Sequence, residues 1–198
     1  MKTKFLSVIT MFVVMFGLTT TYAASLKDNN YTVLNDITAI NKIEVHGNVE
    51  LYVSDASSDQ VKVYNKYYAE SALVQSSNGV LRITSYSNEK LVVWVSANDL
   101  RSISAYDNAD IKSFGNISKI EFNVELHDNA SAKLNLDAYS TNLTVQDRAK
   151  ANLSGTSTEF NLNSDVLAIV NSNNFKAVRL SENKSNTTTQ INNELIGM

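Results

Sequence analysis

Apolar and polar residues alternate with a period of two along most of the chain beyond Ile40. Clear examples are Ile43-Glu44-Val45, Val49-Glu50-Leu51-Tyr52-Val53 and Leu134-Asn135-Leu136. This period is typical of β-strands that bury one face, since successive side chains point to opposite sides. Beyond Leu18, no stretch places apolar residues at the i, i+3, i+4, i+7 spacing of an amphipathic helix. The pattern therefore predicts an almost entirely β mature protein.

A short phrase recurs between the alternating runs in the second half of the chain. Its copies are Asp107-Asn108-Ala109-Asp110-Ile111, Asp128-Asn129-Ala130-Ser131-Ala132, Asp147-Arg148-Ala149-Lys150-Ala151 and, more weakly, Asp165-Val166-Leu167-Ala168-Ile169. From Asp to Asp the steps are 21, 19 and 18 residues, lengths at the short edge of those used by solenoids, in which each unit buries its apolar face against the next. The prediction is an all-β protein, a right-handed single-stranded parallel β-helix (β-solenoid) with a less regular β N-terminal half.

The domain prediction is one β-solenoid over residues 37–180, divided into an irregular half (37–98) and repeats of 18–21 residues (99–180). In the first half, His46-Gly47-Asn48 predicts a turn between two paired strands, and Ser76-Ser77-Asn78-Gly79 is the strongest turn signal in the chain. Residues 181–198 are expected to be a polar tail or an end cap, in which Ile191, Leu195 and Ile196 cover the last coil.

The N-terminus has the pattern of a secretory signal peptide, residues 1–23. Lys2 and Lys4 precede an apolar run from residue 5 to 18, which is too short to cross a bilayer, and small residues follow at Ala23 and Ala24. We therefore expect an exported protein, in the periplasm, on the outer-membrane surface or outside the cell, with no transmembrane span after cleavage.

Composition excludes several kinds of partner and site. Removing Lys2 and Lys4 from 17 basic residues leaves 15 against 20 acidic residues, a net charge of −5 that opposes binding to nucleic acid or anionic lipid. With no Cys there is no thiolate metal site, Cys nucleophile or lipid-bearing cysteine. With no Pro and six Gly, turns must be made by the abundant Asn, Asp and Ser.

The recurring phrases, together with the segment 43–51, resemble the bacterial family called putative auto-transporter adhesin, head GIN domain. Segments 78–83 and 92–103 extend the resemblance, which spans about residues 37 to 180. It implies a signal peptide followed by a β-helix and a role in cell-surface adhesion, with no established activity. The turn glycines of the family correspond to Asn108, Asn129 and Arg148 here, and Asp stands before each in place of a small residue.

Stacking would place Asp107, Asp128 and Asp147 in one column about 4.8 Å apart, where like charges repel unless something compensates. A cation such as Ca²⁺ is one compensation, which makes these three the only metal candidates. Hydrogen bonds from backbone N–H groups within each turn are the other, and they are favoured because the glycine-rich calcium repeat is missing. No cofactor is expected.

Catalysis is not predicted. Short coils without long inserted loops leave little room for a cleft, and the two histidines, His46 and His127, are placed as turn residues. Aromatic side chains at Tyr64, Tyr67, Tyr68 and Trp94 are the predicted ligand contacts, because exposed rings stack on sugars and anchor protein contacts. The function predicted is a non-enzymatic, adhesin-like domain of the cell envelope that binds carbohydrate or a cell-surface protein. A polysaccharide lyase or hydrolase, and a purely structural or regulatory envelope protein, are the alternatives. The sequence does not set the oligomeric state.

Overall fold

A computed structural model describes residues 31–34, 37, 39–64, 69 and 71–185. The predicted signal peptide, Tyr67, Tyr68 and residues 186–198 lie outside the described residues. The all-β class is confirmed, because the described residues contain strands and no α-helix. Within them, no helix has the length and apolar character needed to cross a membrane. The strands are β1 Thr32–Leu34, β2 Lys42–His46, β3 Val49–Asp55, β4 Gln60–Val63, β5 Ala72–Ser77, β6 Val80–Ser85, β7 Leu91–Ala97, β8 Ser102–Ala105, β9 Asp110–Ser113, β10 Ile117–Leu126, β11 Ser131–Val145, β12 Lys150–Asp165 and β13 Ile169–Ser185.

The strands form one curled, 13-stranded sheet in which the repeats pair in parallel. Strand β10 pairs with β11, β11 with β12, and β12 with β13, so that Val124, Leu143 and Leu162 lie side by side. Each of these residues is buried. The first two repeat steps, 21 and 19 residues, equal the offsets at which Asp110 pairs with Ser131 and Ser131 with Lys150, as expected where each repeat covers the apolar face of the next.

The first half of the chain joins the same stack, but out of sequence order. Strands β2 and β3 do not pair with each other, so the predicted strand pair was wrong; β2 pairs with β6 and β8, and β3 with β7 and β9. The reason lies at Gly47, whose left-handed backbone (φ 82°) redirects the chain instead of reversing it. The β2–β3 unit therefore lies between the β6–β7 unit and the β8–β9 unit.

The predicted turn at Asn78-Gly79 is confirmed as a hairpin between antiparallel strands β5 and β6. Both turn residues are left-handed, with φ 52° at Asn78 and 80° at Gly79, as a type I′ hairpin turn requires. Antiparallel strands close this end of the stack, since β5 covers β6 while β4, itself paired with β1, covers β7.

The other end of the stack is the long strand β13. It continues to Ser185, five residues past the boundary expected for the domain. Its register with β12 aligns Leu180 with Phe160, Glu182 with Leu162 and Lys184 with Ser164. Charged residues thus occupy the inward-facing positions of the last unit, where earlier units carry apolar residues.

Candidate functional site

Each of the three recurring phrases forms the same β-turn at the edge of the sheet. The Ala109 N–H donates to the Tyr106 carbonyl at 3.2 Å, and Ala130 and Ala149 make the equivalent bonds in their turns. The left-handed residue is the Asp, with φ 59° at Asp107, 56° at Asp128 and 54° at Asp147. Asn108, Asn129 and Arg148, which correspond to the family's turn glycines, are not left-handed.

The structure brings the three aspartates into one column, and hydrogen bonds connect them along it. Oδ2 of Asp107 accepts from Gly47 N–H at 2.9 Å, Oδ2 of Asp128 from Asp107 N–H at 3.0 Å, and Oδ2 of Asp147 from Asp128 N–H at 3.1 Å. Each carboxylate therefore stabilises the backbone of the neighbouring turn, so the prediction that these bonds form within one turn is wrong. The bonds offset the repulsion between stacked carboxylates.

Asp165 continues the column in a different way. Its turn is shifted by one residue, because the Ala168 N–H donates to Asp165 itself. The register of β11 with β12 pairs Val145 with Ser164 and so places Asp165 beside Gln146. Its carboxylate still accepts from Asp147 N–H at 3.0 Å, so the last step from Asp to Asp is 18 residues although β11 and β12 are offset by 19.

Nothing in the column points to a metal. Within the part of the chain that the structure describes, no group of three or more His, Asp or Glu side chains is arranged to hold an ion.

The two histidines lie beside the column, stacked on either side of Tyr106. The centroid of the Tyr106 ring is 4.4 Å from that of His46 and 4.6 Å from that of His127. His46, Tyr106 and His127 each directly precede a left-handed residue. The repeated turn therefore places the three rings side by side.

A second cluster lies on the outward side of strands β3, β7 and β9. The cluster, called here the aromatic face, consists of Tyr52, Tyr64, Trp94 and Phe114. Trp94 is at its centre, with ring centroids 4.6 Å from Tyr52, 6.3 Å from Tyr64 and 5.4 Å from Phe114. Tyr64 is 41% exposed and Phe114 63% exposed. The rings therefore form a contiguous, partly solvent-accessible apolar surface.

Strand register explains the aromatic face. Tyr52 and Trp94 are direct partners on β3 and β7, at outward positions of the alternating pattern. Phe114 directly follows β9, which lies on the other side of β3. Of the four predicted contacts, the structure brings Tyr64 and Trp94 together, and Tyr67 and Tyr68 fall outside the described residues. Tyr52 and Phe114 were missed, although the outward position of Tyr52 on an alternating strand was a signal.

An ionic cluster borders the aromatic face. Nζ of Lys112 lies 2.5 Å from Glu50 and 2.9 Å from Asp110, and the Tyr52 hydroxyl donates to Glu50 at 2.7 Å. The hydrogen bonds from Lys112 and Tyr52 hold the pKa of Glu50 below its ordinary value. Burial raises the pKa of Asp110, but hydrogen bonds from Lys112 and Ser131 outweigh it and the net shift is downward. Both carboxyl groups are thus held ionised.

A groove of about 570 Å³ runs from the aromatic face across the next strands. Tyr52, Phe114 and Lys112 form one side, and Lys133, Asn135 and Ser154 form the other. The groove combines rings, two cations and amide and hydroxyl groups. Such a surface can stack on a flat ligand and donate hydrogen bonds to its oxygens.

Solved structures with a similar fold come from Bacteroides and Parabacteroides species. A putative adhesin from Bacteroides fragilis has a TM-score of 0.70 and 13% identity, covering 78% of this chain and 76% of that one. A putative lipid binding protein from Parabacteroides distasonis has a TM-score of 0.56 and 9% identity, over 78% and 77% of the two chains. A putative adhesin from the same organism has a TM-score of 0.55 and 12% identity, over the same shares. At these identities the likeness shows the fold alone.

No protein with a curated description matches this chain in sequence. A family model does: residues 39–192 match the family described as putative auto-transporter adhesin, head GIN domain. This range contains the aspartate column, the aromatic face and the groove, and it confirms the resemblance drawn from the repeated phrases. The chain therefore belongs to the family of putative auto-transporter adhesins with a head GIN domain.

Proposed function

We propose that this protein is an exported, non-enzymatic binding module of the cell envelope that holds carbohydrate on the aromatic face. The observation that carries the proposal is the cluster in which the rings of Tyr52, Tyr64 and Phe114 each lie within 6.3 Å of the Trp94 ring, on an outward side of the sheet. Exposed flat rings stack on sugars and bury area with little loss of side-chain entropy. The family's adhesin description supports a role at the cell surface.

Two further parts of the proposal concern location and coil geometry. The signal peptide pattern of residues 1–23 supports export, and the adhesin family supports a final position at the envelope or outside the cell. The parallel pairing of β10 to β13, with one register shift between β12 and β13, supports a right-handed single-stranded β-solenoid for the repeats. A stack of this kind is a rigid scaffold for side chains on its outer faces.

The electrostatics of the carboxylates nearest to the groove favour binding over hydrolysis. A glycoside hydrolase needs one carboxyl group with a raised pKa, which stays protonated and acts as the acid. Glu50 and Asp110 both have lowered pKa values because Lys112 bridges them. Neither would deliver a proton to a glycosidic oxygen at neutral pH.

The test uses Trp94, the one tryptophan of the chain. Mature protein is screened on a glycan array, and binding of each hit is followed by Trp94 fluorescence and by calorimetry. We expect Phe114→Ala and Tyr64→Ala each to weaken binding 3- to 10-fold, about 0.5–1.5 kcal/mol for one ring contact. Tyr86→Ala is the matched control, because Tyr86 is 73% exposed and lies outside the aromatic face.

Three results would contradict the proposal. Equal loss of affinity in Tyr86→Ala would place the ligand elsewhere. Release of reducing or unsaturated ends from acidic polysaccharides would show a hydrolase or lyase. Absence of any glycan binding would favour one of two other roles. If a cell-surface protein binds, the role is protein binding; if nothing binds, it is purely structural.

A further inference from the structure

Two lysines lie side by side at the groove. Lys112 on β9 and Lys133 on β11 are direct partners in the parallel register, with both side chains on the outward side. Like charges on paired strand positions repel each other, so this arrangement destabilises the sheet unless nearby groups compensate.

In the described part of the protein, carboxylates pair with only one of the two lysines. Lys112 is matched by Glu50 at 2.5 Å and Asp110 at 2.9 Å. Lys133 is exposed, and among the described residues it forms no ion pair. Lys90 also lies 3.9 Å from Glu50, so the two carboxylates serve Lys112 and Lys90. Lys133 is then the lysine of this group without a carboxylate partner in the described structure.

The surroundings of Lys133 supply the other contacts that a sugar needs. Phe114 and Tyr52 line the groove on one side, and Asn135 and Ser154 provide amide and hydroxyl groups on the other. The volume of about 570 Å³ lies within the range of small-ligand sites. A cation beside rings and hydrogen-bonding groups matches an anionic sugar, in which a charged substituent projects from a ring with an apolar face.

We propose that the groove binds an anionic sugar residue, with the Lys133 ammonium contacting its carboxylate or sulfate and Phe114 stacking on its ring. The proposal rests on the proposed carbohydrate function and specifies the ligand class. The Lys133 ammonium offers the charged sugar an ionic contact that a neutral sugar cannot make, which gives the charged sugar an advantage over a neutral one. Because the contact is exposed, binding should weaken as ionic strength rises.

The test compares three tetrasaccharide probes by Trp94 fluorescence and calorimetry: oligogalacturonate, a sulfated galactan and a neutral galactan. We expect an anionic probe to bind at least 5-fold more tightly than the neutral one. Lys133→Gln should weaken binding of the anionic probes more than that of the neutral probe and so reduce the preference to less than 2-fold, whereas Lys133→Arg should retain most of it. Lys176→Gln is the matched control, since Lys176 is an exposed lysine outside the groove. The carboxylated and sulfated arms separate the two sources of anion.

The outcomes separate this inference from the proposed function. If neutral and anionic probes bind equally through Phe114, or if Lys133→Gln keeps the preference, the inference is overturned and the carbohydrate function stands. If no glycan binds, both fail. If vesicles with anionic lipid bind in a Lys133-dependent way and oligosaccharides do not, the ligand is a lipid surface and the inference is overturned.

Discussion

The left-handed aspartates give a sharp test of how the turns are stabilised, and Asp128 is the best position for it. Its φ of 56° costs about 1–2 kcal/mol for most residues, less for Asp and Asn and little for Gly. Its carboxylate also accepts the 3.0 Å hydrogen bond from Asp107 N–H. Three replacements separate the two effects, because Asn keeps both, Gly keeps only the backbone freedom and Ala keeps neither.

The expected magnitudes follow from these two terms. Loss of the hydrogen bond at this exposed site costs about 1 kcal/mol, and left-handed strain in Ala adds about another 1 kcal/mol. We therefore expect Asp128→Ala to lower the free energy of unfolding by about 2 kcal/mol and Asp128→Gly by about 1 kcal/mol. Asp128→Asn should stay within about 0.5 kcal/mol, since the side-chain oxygen remains an acceptor. For a chain of this size, the Ala variant should melt about 4–8 °C lower.

The measurement is urea and thermal unfolding of the mature protein at pH 7, followed by far-UV circular dichroism. Unfolding slopes must be compared as well as midpoints, because stacked repeats can lose two-state behaviour. Asn129→Ala is the matched control: it lies in the same turn, is exposed and is not left-handed. If Asn129→Ala costs more than Asp128→Ala, or if Ala and Gly at position 128 are equivalent, the reasoning is refuted.

Three further variants test the backbone, the core and the ionic cluster. Gly155→Ala should cost at least about 3 kcal/mol in urea unfolding, because a Cβ there would lie 1.9 Å from a backbone oxygen of the neighbouring strand, whereas Gly115→Ala, also left-handed but with no atom within 4 Å, should cost about 1 kcal/mol. Equal costs would contradict the close approach. Thr141→Val should gain about 1 kcal/mol, because the Thr141 hydroxyl is buried and has no hydrogen-bond partner in the described structure; a loss of stability would show that the hydroxyl is satisfied. Glu50 has a pKa below its ordinary 4.5, so its contribution is present above that pH and is lost as the pH falls through the lowered value. Glu50→Gln should therefore be about 1 kcal/mol less stable at pH 7 and lose less stability between about pH 5 and pH 3, and parallel pH curves for variant and parent would refute this.

The repeated phrase predicted where the turns lie, but not how they are built. Asp and Asn both tolerate left-handed backbone, so the sequence could not decide which residue of Asp107-Asn108 would adopt it. The decision comes from the stack, since the left-handed Asp lets its carboxylate reach the next backbone N–H. The fourth copy shows the limit of phrase matching, because Asp165 keeps the hydrogen bond while its turn moves by one residue.

Pairing in the first half could not be predicted because its partners are far apart in sequence. Alternation identifies β2 and β3 as strands with one buried face, but it carries no information about their neighbours. Tyr52 meets Trp94 across 42 positions, and Lys112 meets Tyr52 across 60. The aromatic face and the ionic cluster exist only through these long-range registers, which is why Phe114 and Lys133 gave no signal as site residues.

Charged residues on β13 oppose the addition of a further unit at this end of the sheet. Among the residues that the structure describes, strand β13 pairs only with β12 and leaves Val178 77% exposed and Leu180 60% exposed, which is a hazard for edge-to-edge association. Glu182 and Lys184 fall at the inward-facing positions that align with Leu162 and Ser164. A further unit stacked on β13 would have to bury both charges, so addition of another chain at this end is unfavourable. The aromatic face and the groove lie on the outer sides of the sheet, where a ligand can bind without burying these two charges.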